Sequence, residues 1–491
     1  MSVADVVVIG SGPCGAMAAQ ELVGRGLNVT MLDAGRRAAR GVIVRAAGKT
    51  LVRWAESGQL RTNRHRALGD PSTEWYSSLT QGGLSNYWTS AVPRFAPEDF
   101  TDGEVYGEEF AWPIGYDDLV PFYERAESAL VITSGSALAN VPSNVSEYAA
   151  RLPGDWQELC DQATSIGHCM AAMPMALGKP WMIALRSTGF NSYHCVIRSL
   201  LGNPSFEMIR SARARRIRWR TDAGRADAVE YVDSTTGESK TIETRAVVVA
   251  AGSLDSTQIL LRSISSDFPQ GLGNEHGLLG RYLHDHPRQW WPVDISRPLT
   301  ALTHPVYISR GPHDVSPPLR GVSMTIGLAN NRLERVRSLY GGKTKAFGVQ
   351  LFGTMLPRED SMVSLDPRDA DDLDAPILIA TGYEEQAVTD IASARDRFKQ
   401  IFSDIGIHAE PRGPFHELHP GSSVHFGGTV RMHASRKFGM LDSRNRLHAV
   451  RNVVVCDSSC FPTGPEKNPT LTAMAIAARA AHLLAEDLTS G

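Results

Sequence analysis

Val6-Val7-Val8-Ile9-Gly10-Ser11-Gly12-Pro13-Cys14-Gly15 decides how this chain is read. Four β-branched apolar residues form a strand, and glycines follow it at the G-x-G-x-x-G spacing. Ala16, Ala19, Leu22 and Val23 then recur at helical intervals, and Leu27 to Leu32 supplies a second strand that ends in Asp33. Each glycine has a steric task. Gly10 permits the tight turn, Gly12 lets backbone approach a pyrophosphate, and Gly15 lets the helix lie close on the strand. The helix N-terminus offers unpaired N–H groups and a partial positive charge to phosphate. Asp33 stands where a carboxylate accepts hydrogen bonds from an adenosine ribose. Strand, loop, helix, strand and acid in this order predict a dinucleotide-binding βαβ unit. Which dinucleotide it holds stays open on this motif alone.

Outward from that unit the texture changes. Residues 36–80 are rich in Arg, Ser and Thr without clear periodicity, and read as a long excursion. A helix is expected over Tyr116–Ala129. Strands are expected between Phe206 and Val249, closing on Ala246–Ala250, with Gly252 and a helix (Leu254–Arg262) behind them. Residues 297–415 carry alternating strands such as Met324–Leu328, then a long helix from about Glu384 to Ile405. Val453–Val455 leads through Pro462 and Pro469 into a closing helix, Thr470–Leu488. The α/β signals near both ends and in the middle are interrupted by other material. This predicts a nucleotide-binding domain assembled from residues 1–110, 205–296 and 420–491, with a second domain from 111–204 and 297–419 inserted into it.

Composition excludes several classes. The 50 basic and 53 acidic residues leave a net charge of -3, so no basic block is present to neutralise nucleic-acid phosphates. No stretch approaches the ~20 apolar residues of a membrane helix, and with a strand following almost at once no leader is expected. Cys14, Cys160, Cys169, Cys195, Cys456 and Cys460 lack paired or zinc-type spacing, which reads as reduced thiols in a cytoplasmic protein. His284-x-His286 has metal-compatible residue types, but no supporting Cys or carboxylate spacing, so no metal site is expected. The same holds for His408, His416, His419, His425 and His433.

Further along, several stretches resemble one family in order. Arg245-Ala246-Val247-Val248-Val249-Ala250-Ala251-Gly252-Ser253 is similar to the recurring strand–Gly element of large FAD-dependent oxidoreductases. Gly82-Gly83-Leu84-Ser85-Asn86-Tyr87-Trp88-Thr89 resembles the flavin-contacting loop of glucose-methanol-choline (GMC) oxidoreductases. Trp112–Leu119, Ala251–Gln258, Leu279–Pro287, His425–Met432, Asp457–Pro462 and Asn468–Thr472 resemble further segments of that family. The run Gly82–Phe95 is most similar to pyranose oxidases and related sugar oxidases.

The resemblance implies an α/β fold: a Rossmann-like FAD-binding domain built from discontinuous segments, with an inserted α+β substrate domain on an antiparallel sheet. It implies FAD as cofactor, contacted by Gly10, Gly12, Gly15, Asp33, Gly83, Asn86, Trp88, Thr89, Ala251, Gly252, Asp457, Pro469 and Thr470. Tyr87 stands where pyranose oxidases carry the His that bonds covalently to flavin, so non-covalent FAD is expected.

The implied chemistry is oxidation of an alcohol to a carbonyl, on a sugar, glycoside or sugar-containing natural product. His425 would remove the hydroxyl proton while a hydride leaves carbon for flavin N5, and Asn468 would donate to the developing alkoxide. A neutral imidazole near physiological pH suits that task, and activity should fall as acid protonates it. Asn468 has an alternative use as the cap of the closing helix. O2, a quinone or another carrier stay open as electron acceptor, as does the oligomeric state. A lyase of the same fold, or a dehydrogenase acting on a non-sugar alcohol, is the alternative.

Overall fold

The structure, a computed structural model, describes residues 4–35, 64–69, 73, 75–135, 138, 141–177, 190–302, 304–309, 322–328, 341–369, 371–413 and 418–490. Most of the expected excursion over 36–80, and His416, lie outside the described residues.

In chain order the elements used below are β1 (Ala4–Ile9), α1 (Pro13–Gly24), β2 (Val29–Leu32), α2 (Val120–Leu130), α3 (Gly154–Ser165) and β3 (Cys169–Ala172). They continue with β4 (Phe206–Ile209), β5 (Ala212–Arg220), β6 (Arg225–Asp233), β7 (Ser239–Val249), α4 (Ser253–Arg262) and β8 (Arg288–Thr300). The last are β9 (Val306–Ser309), β10 (Ser323–Leu328), β11 (Lys343–Phe352), α5 (Glu385–Asp404), β12 (Ala409–Pro411), β13 (Val453–Val455) and α6 (Thr470–Thr489).

The first sheet is parallel in the order β4-β2-β1-β7-β13. Its central strand β1, the end of β7 and β13 are valine runs because helices cover a parallel sheet, leaving no wet face for polar residues to alternate onto. Val6, Val7, Val8, Val247, Val248 and Val249 are fully buried. The N-terminal part of β7 extends past this sheet and pairs antiparallel with β6, which pairs with β5. Strands separated by more than two hundred residues in sequence therefore lie side by side. Alanine-rich α6 packs on α1 in the same core, its small side chains permitting close approach.

The second sheet is antiparallel, in the order β12-β8-β11-β10-β9-β3. Alternation along β8 and β11 divides its faces. Trp291, Val293, Phe347, Val349 and Leu351 join Trp156 of α3 and Phe398 and Phe402 of α5 in a second core. Arg288, Gln350 and Phe352, out of phase with these, line a cavity instead.

Boundaries differ from expectation in places with a local cause. Helix α2 starts at Val120 rather than Tyr116, because Tyr116–Leu119 form a turn and Pro121 sits at the helix start, where its missing N–H costs nothing. No helix among the described residues is long and apolar enough to cross a membrane.

Candidate active site

A cavity of about 670 Å³ opens along the C-terminal edge of the parallel sheet and runs to the second sheet. That edge is where ligands bind in open α/β sheets. At one end stand Gly10, Gly12, Asp33 and residues 212–214; in the middle Gly83, Trp88, Thr89, Ala251, Gly252 and Asp457. At the far end are His425, Asn468, Pro469 and Thr470. Eleven of the thirteen residues expected at the cofactor thus line one space. Gly15 and Asn86 do not: they brace it.

The glycine loop forms as its spacing demands. Gly10 has φ +102°, and a Cβ there would meet the Ala250 carbonyl at 2.6 Å. At Gly12 a Cβ would meet nothing within 4 Å, so this residue faces open space at the N-terminus of α1. Gly15 packs directly against the Gly10 carbonyl. Asp33 accepts from the backbone N–H (3.2 Å) and hydroxyl (2.6 Å) of Ser11, and from Gly35 N–H at 2.8 Å. It therefore holds the glycine loop as well as lining the cavity. Burial raises its pKa, and those hydrogen bonds oppose the rise.

Two other stretches are knitted to the loop. Ser11 Oγ accepts from Gly82 N–H at 2.9 Å, and Asn86 donates to the carbonyls of Gln81 (3.0 Å) and Gly83 (2.8 Å). Trp88 Nε1 donates to Phe190 O at 3.2 Å. Asp457, just past β13, accepts from Gly252 N–H (3.0 Å), Ser256 Oγ and the Ser459 N–H and hydroxyl. One carboxylate thus ties β13 to the start of α4; burial raises its pKa against these bonds.

At the far end Asn468 Nδ2 lies 3.1 Å from His425 Nε2. The closing helix is capped by Pro469, with no side-chain cap bond. The amide of Asn468 is engaged with the imidazole rather than with the helix. Desolvation by burial, then the nearby His286 and Arg288, hold His425 well below the ordinary imidazole range. Burial thus favours the neutral ring and shifts the expected acid fall in activity downward.

Sequence reading missed how the His425 loop is held. Asp285 accepts from His425 N–H (2.9 Å), Gly421 N–H (2.9 Å) and Ser423 Oγ, while His286 Nδ1 lies 3.0 Å from His425 Nδ1. His284 exchanges backbone hydrogen bonds with Gly427 (3.1 and 3.0 Å). Gly428, at φ +90°, has no room for a Cβ beside the Tyr282 carbonyl and the His284 ring. The signal was the dense His284-Asp285-His286 stretch, uninterpretable until the topology set it against residues 421–428. Arg288, Gln350, Phe352 and Arg64 also line the cavity and carried no sequence signal. Among the described residues no group of three or more His, Cys, Asp or Glu is arranged to hold a metal ion.

Comparison with known proteins follows the same lines. Residues 105–288 and 357–477 match GMC oxidoreductase domains, and residues 3–51 match an FAD binding domain. The chain is 27% identical to 6'''-hydroxyparomomycin C oxidase of Streptomyces lividus, over 99% of this chain and 92% of that protein. It is 26% identical to 2-methyl-1,2-propanediol dehydrogenase of Mycolicibacterium austroafricanum (97% and 94% covered). With C-glycoside 3-oxidase of Microbacterium trichothecenolyticum it shares 25% identity (99% and 97%). The crystal structure of pyridoxine 4-oxidase from Mesorbium loti superposes with a TM-score of 0.69 at 16% identity, covering 98% of this chain and 99% of that one.

FAD fits the residues present. Open space at Gly12 on a helix N-terminus suits a pyrophosphate, and a cavity of about 670 Å³ is within the usual range for cofactor sites. The glycine loop, the cavity joining both sheets and the two matched domains together place this chain in the GMC oxidoreductase family of FAD-dependent enzymes acting on alcohols.

Proposed function

We propose that the chain oxidises a hydroxyl of a sugar or glycoside to a carbonyl, with His425 as base and Asn468 as its partner. The observation that carries this reading is the 3.1 Å His425–Asn468 pair at the end of the cavity that begins at the glycine loop. Bound FAD supplies the acceptor for the substrate hydride. His425 Nε2, its lone pair free of a proton, receives the proton of the substrate hydroxyl. At rest an Asn468 N–H occupies that single lone pair; the substrate hydroxyl takes its place at Nε2, and the amide then donates to the substrate oxygen. Gln350 and Phe352 face the same space and would meet the hydroxyls and a ring face of a sugar. The likeness of Gly82–Phe95 to sugar oxidases and the names of the S. lividus and Microbacterium relatives support this class.

The cofactor-binding residues are those expected from the sequence, with Gly15 and Asn86 acting through the loops they shape. Asp33 would reach the ribose, and Pro469 and Thr470 would present the start of α6 to the flavin. FAD is held without a covalent bond, since Tyr87 supplies no imidazole for a tether. The partition into 1–110, 205–296 and 420–491 against 111–204 and 297–419 belongs to the same reading, as does a cytoplasmic location, in keeping with six free cysteines.

The test is anaerobic bleaching of the flavin by free sugars, glycosides and simple diols, followed by readmission of air. Bleaching by sugars or glycosides, slowed about 10²-fold or more in His425→Ala, is expected. Bleaching by diols alone would refute the substrate class, an unchanged rate in His425→Ala would refute the base, and turnover with no bleaching would indicate a lyase. Prompt reoxidation in air would mark O2 as the acceptor.

A further inference from the structure

His286 is buried, at the end of the stretch that grips the His425 loop. Its ring meets that of His425 edge to face, with centroids 4.8 Å apart and planes at 75°. The Nδ1 atoms are 3.0 Å apart, a distance that requires a hydrogen on one of them and not the other. Which one follows from the far side of His425. Asn468 Nδ2 is purely a donor, so His425 Nε2 must accept and carries no hydrogen. A neutral imidazole with a bare Nε2 has its hydrogen on Nδ1. His286 Nδ1 is therefore the acceptor, and the His286 hydrogen sits on Nε2.

The surroundings of His286 agree with that assignment. The Glu466 carboxylate and the Pro465 carbonyl both favour a proton on its ring, against the burial that lowers its pKa to about 4. Behind Glu466, Lys467 Nζ bridges it (3.2 Å) to Asp99 (2.8 Å). Tyr383 donates to the His286 carbonyl at 3.0 Å, holding its backbone. His284, Asp285 and Arg288 are further charged or titratable neighbours of the pair among the described residues.

We propose that His286 is a positioning residue that fixes the tautomer of His425. By accepting the Nδ1 hydrogen it leaves the Nε2 lone pair as the basic site at the end of the cavity. The proposal rests on His425 as the base, but it makes a statement about ring hydrogens that holds whether or not substrate is turned over. A misassigned tautomer is costly: in the serine-protease triad, replacing the orienting Asp by Asn lowers turnover by about 10⁴ while leaving the geometry intact.

The experiment uses the FAD-loaded enzyme and two variants. His286→Leu fills similar space but accepts nothing. His286→Asn places an amide oxygen near the position of Nδ1. Histidine side-chain ¹⁵N NMR, with His425 assigned by its loss in His425→Ala, reads the tautomer directly. The wild type and His286→Asn should show His425 hydrogenated at Nδ1 and bare at Nε2, and His286→Leu should show a mixture. Anaerobic flavin reduction should fall on the order of 10² to 10⁴-fold in His286→Leu and recover to within about tenfold in His286→Asn. Substrate dissociation constants should stay within about threefold in both, since His286 does not line the cavity. A hydrogen on Nε2 of His425 in the wild type overturns the proposal, even if His286→Leu fails to fold. So does a folded His286→Leu with the wild-type tautomer and rate. An unaffected His425→Ala rate would remove the base reading while leaving the NMR result standing.

Discussion

Asn468→Asp is the substitution that tests the electrostatics of the pair most sharply. It is isosteric, and it exchanges the donor facing His425 Nε2 for a carboxylate oxygen at about the same 3.1 Å. At an effective dielectric constant of about 20, opposite unit charges at that separation attract by about 5 kcal/mol. One pH unit corresponds to about 1.4 kcal/mol, so the proton shared by His425 and the introduced carboxylate would be held about 4 pH units more tightly. The pair would then share one proton at neutral pH. With that proton on the imidazole, as the attraction of opposite charges favours, the Nε2 lone pair is filled and the base is blocked. His286 and Arg288 oppose the imidazolium but are the same in both proteins, so the shift survives their presence. The assay is the rate of anaerobic flavin reduction by saturating substrate as a function of pH. In the wild type the acid limb should lie well below the ordinary imidazole pKa of about 6.5. In Asn468→Asp it should move upward by several units, whereas Asn468→Ala should lose rate without that displacement. Superimposable profiles for the wild type and the Asn468→Asp variant would refute the reasoning.

Two further outcomes concern stability. Arg94 meets Glu127 through two bonds of 2.7 Å, donates to Tyr116 at 3.1 Å and lies over the Tyr123 ring, with Glu127 fully buried. Arg94→Met removes the counter-charge and leaves that carboxylate only the Asn144 amide (2.9 Å) and Val145 N–H (3.0 Å) as donors, and should cost about 3–5 kcal/mol in urea denaturation; a loss under about 1 kcal/mol would mean that Glu127 is protonated or finds water. Burial, as the largest effect, holds His65 at about 4 although Asp255 pulls the other way. The unfolded chain therefore binds the extra proton first as pH falls below about 6.5, and stability present above that pH is lost down to about pH 4. The loss from this ring is ~3 kcal/mol, at about 1.4 kcal/mol per pH unit. His65→Leu should flatten the fall in melting temperature over that window, and an unchanged slope would show that the ring is not buried neutral.

Much of the fold was readable because its signals are local. Val6–Gly15 announces a strand, a turn and a helix within a few residues, and α4, α5, β13 and α6 fall within a residue or so of their expected bounds. Motif order also marked His425 and Asn468, which the structure brings within hydrogen-bond distance across 43 residues of chain. What sequence could not show was the support beneath them. Asp33 turned out to hold Ser11, and Asn86 to hold Gln81 and Gly83, so residues expected at the cofactor also serve the loops around it. His286 was set aside as a poor metal ligand, and its contact with His425 depends on residues 284 and 427 pairing as neighbours.

The sequence alone therefore determined the phosphate cradle, the class of fold and the residue types available for proton transfer. These depend on steric needs and periodicities expressed over a few neighbouring positions. The tertiary structure decided which nitrogen of His425 is bare, which groups strip water from it, and which face of β11 looks into the cavity. Hydrogen-bond partners and burial are set by chain segments far apart in sequence, and no local pattern encodes their meeting.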